Sequence, residues 1–231
     1  MAQNRLIQAA RKAPVGDPLP SMIHRLIGLA LLAAALLPLR EAQAQAPSTD
    51  LATIARGSGT PEIPGLKIVW LAPWGDYRKA PWRNIIVHQT EGPAGSARNG
   101  ARAQANKPTR RGVTVWVETD GTVYWATPET FVTTHGDGAN RNDNKYIDNK
   151  STFRQVVRDN SIGVEFAGNY PDVTAPATAA QIAAWRVLVR VLRTRYDIPA
   201  DRVYAHNWID YKDARYCEGC ELAKLARDPS F

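Results

Sequence analysis

Apolar residues in this chain recur in short runs that end on a polar side chain. Asn84-Ile85-Ile86-Val87-His88, Ser161-Ile162-Gly163-Val164-Glu165 and Val203-Tyr204-Ala205-His206 are the clearest cases. Their length and β-branched content predict buried strands, over 84–88, 160–166 and 202–205. Leu66-Lys67-Ile68-Val69-Trp70-Leu71 predicts another. Val113–Glu118 and Thr122–Ala126 flank Asp120-Gly121, which is the pattern of a β-hairpin. A helix opens at Gly92-Pro93-Ala94-Gly95, is rich in Ala97, Ala101, Ala103 and Ala105, and stops by Pro108. The strongest helix starts at Thr178-Ala179-Ala180-Gln181, a capping box. Ile182, Trp185, Val189, Leu192 and Tyr196 then fall on one face, and Pro199 closes the element. Glu221–Arg227 predicts a short final helix, and 136–160 is a long polar loop with a single helical turn around 152–157. Strands and helices interleave without repeats. The fold class is α/β, a mixed central β-sheet flanked by helices.

The first 44 residues do not fit this pattern. Arg25 precedes the apolar run Ile27–Leu37, and Ala42-Gln43-Ala44 follows it. Cation, apolar core and A-x-A in that order describe a signal peptide, with Met22 as an alternative start. The run falls short of the roughly 20 residues that span a bilayer. The expected protein is therefore exported, periplasmic or secreted, with no stable membrane insertion after cleavage. Residues 45–83 are expected to be an arm or linker, and 84–231 the functional domain. The formal net charge is +7. Five cations against Asp17 and Glu41 in the leader account for +3 of this, which leaves +4. No basic stretch is interleaved with aromatics, so nucleic acid is not an expected partner.

Chemistry concentrates at the strand ends. The mature chain has three histidines, His88, His135 and His206, and two of them end predicted strands. Two imidazoles and a thiolate leave one tetrahedral zinc position for water. A nearby carboxylate outside the ligand set then acts on that water. The only cysteines are Cys217 and Cys220, which in an oxidising compartment also suit a local disulfide. A redox role for Cys217-Glu218-Gly219-Cys220 is disfavoured by its place in a late loop.

Several segments resemble the zinc-dependent N-acetylmuramoyl-L-alanine amidases of the amidase-2 type, relatives of the peptidoglycan recognition proteins. Ile85–Thr90 resembles the strand of the first ligand. Thr119–Tyr124 is similar to the family's Asp-Gly hairpin, Val132–Gly136 to its Ala-x-His-Ala-Gly segment, Asn160–Glu165 to its Asn-x-Ser-Ile-Gly-Ile-Glu strand, and Val203–His206 to the strand of the second ligand. The resemblance covers Asn84 to about Leu225. It implies one Zn2+ per chain on His88, His206 and Cys217, with Asp213 and Cys220 as alternative third ligands. It also implies Glu165 as general base, Arg215 as oxyanion donor, and peptidoglycan or a muropeptide as substrate. Val113-Thr114-Val115-Trp116 lacks the polar group that the family often carries before its hairpin. His135 and Trp208 are expected to contact substrate. A relative that binds peptidoglycan without cutting it is the alternative, and retention of both histidines and Glu165 weighs against it.

Overall fold

The strands Ile68–Trp70 (β1), Asn84–Gln89 (β2), Val115–Val117 (β3), Val123–Trp125 (β4), Ser161–Phe166 (β5) and Val203–Ala205 (β6) form one sheet. A computed structural model describes residues 60–75, 77–106, 111–136, 152–210 and 216–231. The leader, the start of the arm, most of the polar loop, Asp213 and Arg215 lie outside the described residues. The strand order is β1-β4-β3-β5-β2-β6. Only β3 and β4 pair antiparallel; every other neighbouring pair is parallel. The antiparallel pair is the Asp-Gly hairpin. The Asp120 carboxylate accepts the Thr122 N–H at 2.9 Å, and Gly121 takes φ +79°. A positive φ at that corner is open to glycine at no steric cost.

Alternation along the strands divides the sheet into two faces. Ile85, Val87, Val115, Val117, Ile162, Val164, Phe166 and Val203 point to one face. Helix Ala179–Tyr196 (α2) and helix Cys220–Arg227 (α3) cover it with Trp185, Leu188, Leu192 and Leu222. Each fully buried side chain of this size contributes about 1.5–3 kcal/mol. The capping box forms as read, with the Thr178 hydroxyl accepting the Gln181 N–H and the Gln181 side chain accepting the Thr178 N–H. The Trp185 indole donates to the Leu222 carbonyl at 2.8 Å, which ties the two helices together.

Helix Ser96–Asn106 (α1) lies on the opposite face, over β3 and β4. Gly100 permits this approach: a Cβ there would stand 2.5 Å from the Trp116 ring. Glu118, just past β3, caps the start of α1. Its carboxylate accepts the N–H groups of Gly95 at 2.8 Å and Arg98 at 3.1 Å. Burial favours the neutral acid, but the N–H groups of Thr119, Gly95 and Arg98 outweigh it and hold the Glu118 carboxyl below its ordinary range.

The segment expected to be an arm belongs to the fold from residue 60 onward. β1 is an edge strand of the sheet, and Ile63, Trp74 and Trp82 are buried in the main core. The domain boundary therefore does not fall at Asn84. Proline and glycine punctuate 73–81 as a loop, yet the tryptophans between them carry enough apolar surface to hold it down.

Candidate functional site

Parallel register places the key residues of β2 and β5 side by side. His88 stands opposite Glu165, and Glu165 opposite Trp116. Residues opposite in register leave the sheet on the same face, about 4.8 Å apart. His88 and Glu165 therefore rise together from the C-terminal ends of two adjacent strands, on the face that also carries α1. β6 ends beside β2, and its chain turns at once into the short 3-10 segment His206–Trp208. His206 is thereby brought to His88, with ring centroids 4.3 Å apart.

The third member of this group is Glu218. Single ligand atoms of His88, His206 and Glu218 all lie within 4.8 Å of one another, and all three residues are buried. His88 Nδ1 is 3.3 Å from Glu218 Oε1, and His206 Nδ1 is 3.1 Å from Oε2. Cys217, expected as the third ligand, is joined instead to Cys220 in a disulfide. A disulfide sulfur has no thiolate to offer a metal. The residue that could serve as the third donor lies one position further along the chain. Gly219 makes this possible: it adopts φ +79° and packs so closely on β2 that a Cβ would lie 2.3 Å from the Val87 carbonyl oxygen. Further bonds fix the turn. Glu218 N–H donates to Asn207 Oδ1 at 2.9 Å, and Gly219 N–H donates to Gln89 Oε1 at 2.9 Å. The Gln89 N–H donates to Glu218 Oε1 at 3.3 Å.

His135 lies behind His88 and does not face a cleft. It is 8% exposed, and both of its ring nitrogens are engaged. The glycine of the Ser-Ile-Gly-Val-Glu strand makes room for it, since a Cβ on Gly163 would come within 2.9 Å of the imidazole. The bonding fixes the tautomers. Ser161 O can only accept, so His135 Nε2, 3.0 Å away, carries the proton. Burial, then the neighbouring His88, push the His135 pKa well below its ordinary value, so the ring is neutral and Nδ1 is a lone pair. His88 Nε2 donates to it at 3.1 Å. In a neutral His88 this leaves Nδ1 as a lone pair facing Glu218 Oε1.

His88 Nδ1 and His206 Nδ1 both face the Glu218 carboxylate, across which they share either a proton or a metal ion. Burial raises the Glu218 pKa, but His206 and His88 outweigh burial and hold it well below the usual carboxylate range, so the group is anionic. Two imidazole nitrogens and one carboxylate oxygen form a recognised zinc donor set with a fourth position left for water. Ligand bonds of about 2.1 Å at tetrahedral angles place donors about 3.4 Å apart. Each histidine nitrogen lies near that spacing from a different carboxylate oxygen, His88 Nδ1 3.3 Å from Oε1 and His206 Nδ1 3.1 Å from Oε2. The far nitrogen of His88, Nε2, is bonded to His135, and His206 Nε2 faces Asp210 Oδ2 at 3.6 Å.

Trp208 is half-buried against Ile86, Tyr204 and Ile209, and the Arg227 guanidinium covers its ring at 4.7 Å. It packs the wall behind His206. Sequence reading missed Glu218, Asp210 and Asn207. The available signal was an acid directly beside the expected cysteine.

A comparison with curated proteins finds no match. Solved structures with a similar fold include the endolysin N-acetylmuramoyl-L-alanine amidase LysCS from Clostridium intestinale. It shares 20% identity and a TM-score of 0.44, over 70% of this chain and 89% of that one. A mutant endolysin from Bacillus subtilis shares 22% identity and a TM-score of 0.39, over 62% and 86%. The family model for N-acetylmuramoyl-L-alanine amidase matches residues 78–220, more than half of the sequence and all of the described site, and the chain belongs to that family.

Proposed function

We propose that this protein is an exported, zinc-dependent peptidoglycan amidase. It cleaves the amide between the lactyl group of N-acetylmuramic acid and the L-alanine of the stem peptide. The observation that carries this reading is the convergence of His88, His206 and Glu218 beside Glu165 in a chain of this family. His88, His206 and Glu218 would hold the metal, which when bound supplies a Lewis acid and a water acidified to a pKa of about 7.

The remaining chemistry belongs to the side chains. Glu165 is the general base. Its carboxylate takes a proton from the attacking water and returns it to the alanine nitrogen as the C–N bond breaks. The products are the lactyl carboxylic acid and a stem peptide with a free amino terminus. His135 keeps His88 in the tautomer that presents Nδ1. Asn207 and Gln89 hold the Glu218 turn. Export by the N-terminal leader would deliver the enzyme to its wall substrate.

The test uses purified protein stripped with a chelator and then reloaded with zinc. Incubation with a muropeptide should release the stem peptide, detected by mass spectrometry, in the loaded protein only. Muropeptide binding without cleavage by the zinc-loaded protein would establish a peptidoglycan-binding protein instead.

A further inference from the structure

Glu218 sits inside a four-residue ring closed by the Cys217–Cys220 disulfide. The ring occupies an irregular loop between the 3-10 segment at His206 and helix α3, which begins at Cys220. A carboxylate on such a loop pays conformational entropy to hold one position between two imidazoles. Closing the ring removes much of that freedom before any metal arrives. The ring is also docked at three points, through Gly219 N–H on Gln89, Glu218 N–H on Asn207, and the close seat of Gly219 on Val87. The bridge joins the residues on either side of the Glu218–Gly219 pair, so it acts on the donor itself and not on a distant part of the fold.

We propose that Cys217 and Cys220 are positioning residues that preorganise Glu218 as a metal donor. The inference rests on the zinc reading above. The bridge holds the carboxylate in place while contributing no ligand atom. Groups that orient a ligand typically change metal affinity about 10- to 100-fold when removed. Both cysteines are half-buried, and Cys217 borders an open groove with Gln89, Asn169 and Tyr216, which gives a small reductant an approach to the bond.

Zinc affinity of the full chain is measured by competition with a chromophoric chelator, alongside thermal melting of the zinc-free form. Cys217→Ala/Cys220→Ala should bind zinc about 10- to 100-fold more weakly. Its zinc-free melting temperature should stay near that of the parent, because the closed loop is short and loop-closure entropy grows with length. A bridge that merely stabilised the fold would lower the melting temperature and leave the affinity of the folded protein unchanged. Affinity within about twofold of the parent overturns the proposal. The unsubstituted protein reduced with a phosphine provides a second route. The disulfide takes up two electrons and two protons, and the phosphine leaves as its oxide with oxygen from water. This reduced protein should match the double variant. Tighter zinc binding on reduction, lost in Cys217→Ala, would make the thiolate a ligand and also overturn the proposal. Glu218→Gln separates the two readings. If it retains parental zinc affinity, the donor set itself fails; if it loses zinc while the double variant does not, only the positioning role fails.

Discussion

Two buried carboxylates in this protein are surrounded in opposite ways. Glu129, packed against the end of α2, is fully matched by donors. Its Oε1 accepts Arg195 Nε and the Tyr196 hydroxyl, and its Oε2 accepts Arg195 Nη2 at 2.6 Å. Arg195 also donates to the Gly75 carbonyl and lies 3.7 Å above the Trp74 ring. Every partner there is a permanent cation or an N–H or O–H donor, so the charge is neutralised inside the protein. Glu218 is just as buried, at 2% exposure, but its partners are the imidazoles of His88 and His206, which can present either a proton or a lone pair. A carboxylate answered by donors builds structure, here pinning Trp74 and Gly75 to α2. A carboxylate answered by two imidazoles forms a donor set that a metal can use.

Substitutions at the two sites should therefore fail differently. Glu218→Gln should weaken zinc binding by at least about 100-fold, because it removes a ligand and not merely an orienting partner. Turnover of a muropeptide should vanish with it. The zinc-free fold should survive, since the amide still hydrogen-bonds. Zinc titration together with the melting curve checks both halves. Glu165→Gln, on the neighbouring strand, should keep full zinc occupancy and lose roughly 100- to 10,000-fold in rate. Near-normal turnover there would remove Glu165 from the mechanism.

At the matched site the loss should appear in stability. Glu129→Gln leaves Arg195 with an uncompensated buried charge and should destabilise the protein by about 3–5 kcal/mol in denaturant. Zinc affinity of the folded fraction should be unchanged; a parallel loss of zinc would mean that the two sites are coupled through the sheet. The smallest effect is expected at Glu118, whose carboxylate caps α1. Glu118→Gln should cost about 1.5–3 kcal/mol near neutral pH. The folded-state pKa of Glu118 lies below its unfolded value. Its contribution is therefore present above the unfolded pKa near 4.5 and is lost as pH falls through the folded pKa. The gap between wild type and variant should close as the solution is acidified below about pH 4.5, and a gap that persists at pH 2 would show that the cap does not depend on charge.

The elements that organise this site were legible wherever regular periodicity spoke. The runs ending at His88, Glu165 and His206 are strands or lead directly out of one, and each polar side chain sits where its run predicted. The Asp120-Gly121 hairpin and the Thr178 capping box rest on local chemistry, a positive φ and a reciprocal hydrogen-bond pair, which needs no distant partner. Even the glycine of Ser-Ile-Gly-Val-Glu was visible as a motif, although its reason, the His135 ring against Gly163, was not.

The amino-acid sequence by itself determined the α/β class, the central strands and the histidines and glutamate at their ends, because a period-two pattern dictates which side chains share a face. The tertiary structure alone decided which side chain of the late turn meets the two histidines. Cys217, Glu218 and Cys220 lie in a turn without periodicity, where a one-residue step reverses the direction of a side chain. The left-handed Gly219, its seat on Val87 and the Cys217–Cys220 bridge settle that Glu218 faces the histidines. The same holds for His135, which reads as a loop histidine until the sheet brings it behind His88. It holds as well for residues 60–83, whose prolines suggest a linker while buried Trp74 and Trp82 bind the segment to the core. In each case the deciding quantity is a contact between residues far apart in the chain, and no local pattern encodes it.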